Sequence, residues 1–348
     1  MKKSIRLSGS YLFAYISIII LLLTGCSSGQ DKNKPVLNTA GDTTVFESRK
    51  DLSDIKIGYC TPSLNAPFYV VLTQYVQKYS EGYGMKFVSA DGQDDIIKQI
   101  TSIEDLIAAG INVLILNPLD HKALVPAVNA AVKSGVPVFI VDSAIDPSAK
   151  YITSVQADNE GNGELIGEYV VKKMGRTKIK TALISGSQGN PVGREKRLGF
   201  IRGFSETQLM TQGIADLTIV SQGWGNWTNN GGLKAMEDIL VANPDINLLV
   251  AENDAMAMGA LKAINEAGKA SKISVAGFDG QKEAYELIKE GKIEATALNS
   301  PEELARLVVE AAVKYLNGER QIEKIIYTTP ILITKENVDK YYDPKALF

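Results

Sequence analysis

From residue 54 onward, short apolar runs alternate with amphipathic segments along this chain, and few folds accept that alternation. The runs are 55–60, 86–90, 113–117, 137–142, 151–155, 179–185, 217–221, 247–251, 273–278 and 293–298. Each holds about five or six residues, the length of a strand buried on both faces of a parallel sheet. Helical patterns lie between most of them, at 68–80, 95–109, 122–133, 164–174, 232–241, 255–267, 281–289 and 301–316,. Gly or Asn closes several, as at Gly110, Gly135, Gly268, Gly291 and Asn317, where a left-handed residue ends a helix. Strand, helix and strand in repetition make right-handed crossovers, hence parallel sheets with helices on both faces. Ten strands are many for one open sheet,. Dividing them near Gln156-Ala157-Asp158 yields two units of five or six. The expected fold class is α/β: two doubly wound, Rossmann-like lobes with a ligand cleft between them.

The chain starts differently. Lys2, Lys3 and Arg6 precede an apolar stretch over residues 11–23, which ends in Leu23-Thr24-Gly25-Cys26. A charged start, an apolar core and small residues before a cleavage point form an export signal. The 13 apolar residues fall short of the roughly 20 that a spanning helix needs,. With a cysteine at the junction the segment resembles a lipoprotein box, which implies that Cys26 carries the lipid and becomes the mature N-terminus. Residues 27–53 are polar and read as a flexible tether,. Of 348 residues, removal of the signal leaves 323, enough for two domains,. Taking its three positive charges from a net −3 leaves a body of −6, which argues against a nucleic-acid partner,. Besides Cys26 the chain has only Cys60, inside an apolar run, so no disulfide forms within the mature chain,. His121 is the single histidine, which removes multi-histidine metal sites and histidine triads,. Gly161-Asn162-Gly163-Glu164-Leu165-Ile166-Gly167 has one residue too many for a dinucleotide fingerprint, and no cofactor is expected.

Ligands of open α/β sheets bind beyond the carboxyl ends of the strands. After the first run come Asn65, Ala66, Pro67, Phe68 and Tyr69; after the third, Asn117; the fourth ends in Asp142-Ser143. The sixth leads to Arg194 and Lys196, the seventh to Trp224 and Trp227, the eighth to Glu252-Asn253-Asp254, the ninth to Asp279 and the tenth to Asn299. Carboxylates, amides and aromatics thus gather at one edge. Neutral polyhydroxylated molecules are held by such groups, with acceptors and forked donors for hydroxyls and flat rings for C–H faces. Residue by residue the same loops also read as helix caps; the coincidence of seven loops favours a ligand.

These segments resemble the ribose-type periplasmic sugar-binding proteins, solute-binding components of ABC importers with the type I periplasmic binding protein fold. The resemblance runs over residues 55–333. It rests on Asn65-Ala66-Pro67-Phe68-Tyr69, Leu116-Asn117-Pro118, Val141-Asp142, Ala157-Asp158-Asn159, Arg194 to Phe200, Glu252-Asn253-Asp254-Ala255-Met256-Ala257-Met258-Gly259-Ala260 and Gly277-Phe278-Asp279-Gly280. It implies that Phe68, Tyr69 and Trp227 sandwich a sugar, with Trp224 the rival for the last place, and that Asp142, Asn253, Asp279 and Asn299 bond its hydroxyls. Asn65, Asn117, Ser143, Arg194 and Lys196 complete the candidate set. It further implies three crossovers between the lobes, near Ala157, Asn299 and Thr329. The lobes are then residues 54–156 with 300–329 and residues 157–299 with 330–348, after a signal over 1–25 and a tether over 26–53. The family usually has Asn at Ala66, Arg at Ser143 and a second Arg at Lys196, so ribose itself is not the expected ligand.

The expected protein is therefore not an enzyme. It is a monomer on the outer face of the cytoplasmic membrane, held by its lipid, which captures a monosaccharide or polyol and delivers it to an ABC permease. A sensory subunit reporting to a membrane kinase or chemoreceptor is the alternative. Asp142 and Asp279 as a glycoside-hydrolysing pair is a third reading, left open by the sequence.

Overall fold

The computed structural model describes residues 51–175 and 178–348. The signal, Cys26 and most of the tether lie outside them. Leu52, inside the stretch read as tether, is already buried in the apolar core.

The chain runs β1 (Lys56–Thr61), α1 (Pro67–Gly82), β2 (Lys86–Asp91), α2 (Ile96–Ala108), β3 (Val113–Leu116), α3 (Val125–Lys133), β4 (Val138–Val141) and β5 (Ser154–Ala157). It continues through α4 (Asn159–Met174), β6 (Lys180–Ser185), α5 (Pro191–Gln212), β7 (Thr218–Trp224), α6 (Asn229–Ala242), β8 (Leu248–Ala251), α7 (Asp254–Glu266), β9 (Ser274–Asp279), α8 (Lys282–Lys289) and β10 (Ala295–Leu298). It closes with α9 (Pro301–Leu316), β11 (Ile325–Thr328) and β12 (Leu332–Thr334). Two six-stranded sheets result, ordered β11-β5-β4-β3-β1-β2 and β12-β10-β9-β8-β6-β7. Every strand pair is parallel except β10 with β12. The chain passes between the sheets three times, at residues 157–159, 299–300 and 329–331.

Unbroken apolar runs became central strands because both faces of each sheet are covered. In β3, Val113 and Ile115 join α1 and α9 on one side, while Leu114 and Leu116 meet α2 and α3 on the other. Each such fully buried side chain contributes roughly 1.5–3 kcal/mol relative to exposure. Cys60 is part of the second cluster, and burial pushes its thiol up to about 12.

Several elements differ from expectation. Strand β5 starts three residues later than its apolar run, and β7 extends to Trp224. Strands β11 and β12, of four and three residues, have too little apolar pattern to stand out. The helix α5, 22 residues long, buries Val192, Phe200 and Phe204 together with Lys196, Thr207 and Gln208. Where it meets α4 the contact is made by glycine. A Cβ on Gly199 or Gly203 would collide with the carbonyls of Glu160 or Glu164 in α4, and one on Gly163 or Gly167 of α4 with the backbone of α5. Two of the three glycines spaced almost like a dinucleotide loop, Gly163 and Gly167, thus make a helix–helix contact. Gly318, at φ 99°, rather than Asn317, takes the left-handed position after α9. The last residues, assigned to the second lobe, touch both. Lys282 donates to the Ala346 carbonyl at 2.9 Å, and the Phe348 ring meets Phe68 of the first lobe edge-on at 5.6 Å.

Candidate functional site

Because the strands are parallel, their carboxyl ends open on one side of each sheet, and the two lobes bring these edges face to face. Between them lies a small cavity walled by both lobes. The first lobe contributes Ala66, Phe68, Tyr69 and Asp142; the second contributes Val192, Lys196, Trp227, Asn253 and Asp279; Asn299 comes from a crossing strand. None of the ten is more than 8 % exposed, so the lobes are closed around this space.

Local backbone aims the side chains. Asp142 follows β4 at φ 65°, Asp279 ends β9 at φ 103°, and Trp227 sits at φ 62°. A left-handed conformation costs a non-glycine residue about 1–3 kcal/mol, and it is a true outlier for a residue as bulky as Trp. Six non-glycine residues among those described have positive φ, and three of them line this cavity. Trp227 lies flat against the chain at Gly186, where any Cβ would overlap the indole. Glu252 holds that loop in place. Its carboxylate accepts from the Ser185 hydroxyl and the Gly186 amide, each at 2.8 Å, and pairs with Arg197.

Phe68 and Tyr69 open α1 behind Pro67, and their rings stand edge to face at 6.0 Å. Across the cavity, Lys196 donates to Asp279 Oδ1 at 2.7 Å and to the Glu252 carbonyl at 3.0 Å. Its ammonium also lies 5.7 Å from the Trp227 ring centre and 5.3 Å from that of Phe278, within cation–π range. Asn253 caps α7, accepting from the Met256 amide at 2.9 Å, while its Nδ2 donates to the Trp227 carbonyl at 3.1 Å. Behind the wall, Asp254 accepts from the amides of Gly280 and Gln281 at 2.8 Å and from the Thr296 hydroxyl at 2.9 Å. Asn299 Oδ1 and Trp227 Nε1 are buried on the wall with no hydrogen-bond partner, which is costly unless a ligand supplies one.

Burial raises all three carboxyls. Asp142 is pushed up to about 6, although the amides of Asn117 and Asn299 and the charge of Lys196 hold it down. Asp279 is raised by burial, against Lys196 and Asn299. Burial and the charge of Asp279 take Asp254 up to about 8.

Of the twelve side chains singled out in the sequence, eight line the cavity: Phe68, Tyr69, Asp142, Lys196, Trp227, Asn253, Asp279 and Asn299. The other four stand elsewhere. Asn65 is exposed and donates to Asp94 at 2.9 Å, tying down the loop after β1. Asn117 sits behind the wall, its Nδ2 donating to Asp142 Oδ2 at 3.0 Å. Ser143 is buried beside Asp142 but off the wall. Arg194 is exposed in a separate groove with Glu195 and Tyr327. Positions two apart on a helix face different ways, so α5 cannot aim both Arg194 and Lys196 at one point. Trp224 is 43 % exposed and also belongs to that groove. Ala66 and Val192 are additional wall residues; Ala66 lies in the loop singled out after the first run, whereas the small apolar side chain of Val192 gives no sign of its place in a sequence.

Comparison with known proteins follows the same lines. A sequence profile described as a periplasmic binding protein domain matches residues 57–320. The ribose import binding protein of Bacillus subtilis is 35% identical over 314 residues, covering 89% of this chain and 94% of its own. The D-ribose/D-allose-binding protein of Pseudomonas aeruginosa is 31% identical, over 80% and 88% of the two chains. Among solved structures, an ABC transporter solute binding protein from Mycobacterium smegmatis with bound glycerol superimposes with a TM-score of 0.77 at 32% identity, covering 84% of this chain and 98% of its own. The myo-inositol binding protein of Caulobacter, with its ligand, gives 0.75 at 28% identity, over 82% and 95%.

Proposed function

The chain belongs to the periplasmic binding protein domain family, among the ribose-type sugar-binding proteins, and from that premise we propose that it captures a monosaccharide or related polyol outside the cytoplasmic membrane and delivers it to the permease of an ABC importer. The observation that carries this reading is the closed interlobe cavity, where two carboxylates and a Trp are held on left-handed backbone toward one space. Strain of that kind persists where surrounding structure enforces it and function uses it. Phe68 and Tyr69 would cover one face of the ring and Trp227 the other, with Asp142, Asp279, Lys196, Asn253 and Asn299 bonding hydroxyls. A ligand touching both lobes stabilises the closed state by its preference for it.

Ribose is not the ligand we propose. Ala66 places a methyl on the wall where an amide could have bonded a hydroxyl, and Lys196 is its one cation. Thermal-shift screening of monosaccharides and polyols tests the capture function. A ligand at 100 times its Kd adds about 2.7 kcal/mol of stability. Absence of any shift across the panel would overturn it, and ribose as the tightest ligand would overturn the exclusion of ribose alone.

Anchoring through Cys26, which lies outside the described residues, belongs to the same proposal. Two acyl chains hold a protein on a bilayer where one does not. Cys26→Ala should leave the exported protein without its lipid mass and release it from the membrane; unchanged retention and N-terminal mass would refute the anchor.

A further inference from the structure

We propose that the molecule this cavity selects carries an ammonium group, an amino sugar or amino polyol, and that Asp142 is the residue that selects it. The inference rests on the capture function proposed above and concerns the same cavity.

Two carboxylates face the cavity, Asp142 and Asp279, and Lys196 is the only cation on its wall. That cation is committed. Its ammonium sits on Asp279 Oδ1 at 2.7 Å and on the Glu252 carbonyl at 3.0 Å, both in the second lobe. Asp142 stands on the first lobe, and no ion pair among the described residues includes it. Its hydrogen-bond partners are neutral amides, Asn117 at 3.0 Å and Asn299, and the charge of Lys196 that also acts on it is shared with Asp279, to which Lys196 is bonded. A third carboxyl, Asp254, lies just behind the wall and is spent on the turn at Gly280. The cavity is thus one positive charge short, at a residue only 5 % exposed.

Hydroxyls of a neutral sugar can donate to Asp142 but leave its charge uncompensated in a closed, water-poor space. An ammonium supplies three donors and the missing charge together. Other wall groups suit the same guest. Asn299 Oδ1 is a buried acceptor without a donor, 2 % exposed as a residue, and the Phe68 and Tyr69 rings offer faces that attract cations,. The cavity already holds one ammonium in this manner, since Lys196 meets Asp279 beside the rings of Trp227 and Phe278. The ligand's amine would do for Asp142 what Lys196 does for Asp279. The residual pull on protons at Asp142, pushed up to about 6 by burial, agrees with a carboxylate lacking a cation.

Calorimetry on matched pairs decides the matter: D-glucosamine against D-glucose, D-galactosamine against D-galactose, D-mannosamine against D-mannose, and an inosamine against myo-inositol. The tightest ligand should be an amine, about tenfold or more tighter than its hydroxyl counterpart, with the gain lost on N-acetylation. Asp142→Asn should weaken both members of a pair, since Asp142 also bonds hydroxyls, but weaken the amine about tenfold or more beyond its neutral partner and so erase the preference; Asn also accepts the left-handed backbone at this site,. A neutral sugar equal to or tighter than its amine in the unmodified protein overturns the inference and leaves sugar capture standing. Equal losses for both members of a pair in Asp142→Asn overturn it as well. Binding of neither member of any pair overturns this inference; the capture function falls with it only if the wider thermal-shift panel of monosaccharides and polyols also yields no ligand. Should the variant fail to fold, the matched pairs in the unmodified protein decide alone.

Discussion

Lys196 and Asp279 make an ion pair with side chains 1 % and 6 % exposed. Removing one partner of such a pair costs about 3–5 kcal/mol, because the other charge stays buried alone, whereas replacing both is often near neutral. Asp279→Asn should therefore destabilise the protein by that amount in urea titration, and adding Lys196→Met should restore most of it. Additive losses in the double variant would mean that the two do not act as a pair. Protons act on neighbouring residues. Asp254 titrates at about 8 in the folded protein and near 3.8 when unfolded, so the folded state holds the extra proton between those values. Its contribution to stability is complete below about pH 4 and is lost as pH rises through about 8. Asp142 acts in the same direction up to about 6. The melting temperature of the ligand-free protein should fall as pH rises through that range, and Asp254→Asn should flatten the upper end, from about 6 to 8. A variant whose profile matches the unmodified protein would remove Asp254 as the source.

At the scale of elements, the α4–α5 contact places Lys196, since the helix carrying it is set by glycine against backbone. Gly199→Ala puts a methyl into the Glu160 carbonyl, and overpacking of this kind costs about 1–3 kcal/mol or more,. The urea midpoint should drop with little change in slope, and ligand affinity should fall too, because Lys196 is one turn away. A variant with unchanged stability would mean that the helices can separate freely. This contact is hidden in the sequence for a plain reason. Phe200 and Phe204 are buried four residues apart,, but the contact with α4 is made by Gly199 and Gly203, which carry no apolar signal. Strands in the sheet centres are legible because burial on both faces leaves an unbroken apolar run; β11 lies at a sheet edge, with Ile325 and Tyr327 exposed, and has none.

For the whole molecule, three crossings and a cavity walled by both lobes make the cleft the place where the protein must open for a ligand to enter. The described conformation is closed. Small-angle scattering should show a larger radius of gyration without ligand than with it, since hinge motion is the family of change such a two-lobed body allows. An unchanged radius with binding proven by calorimetry would count against closure. The tail bridges the two lobes: Phe348 rests on Phe68 while Lys282 holds the Ala346 carbonyl.

The order of the central strands and most helices, the parallel sheets, the two lobes and the edge on which ligand groups gather follow from local periodicity and from the rule that ligands bind at strand carboxyl ends; α5, β11 and β12 do not. Those properties are written residue by residue in the chain. Which candidates share the cavity is not. Arg194 and Lys196 differ by two positions and diverge because helix geometry turns one outward. Asn65 and Phe68 diverge because Asp94, from another loop, claims the amide. The missing counter-charge at Asp142 depends on where Lys196 sits across the cleft, a distance set by packing between elements far apart in sequence.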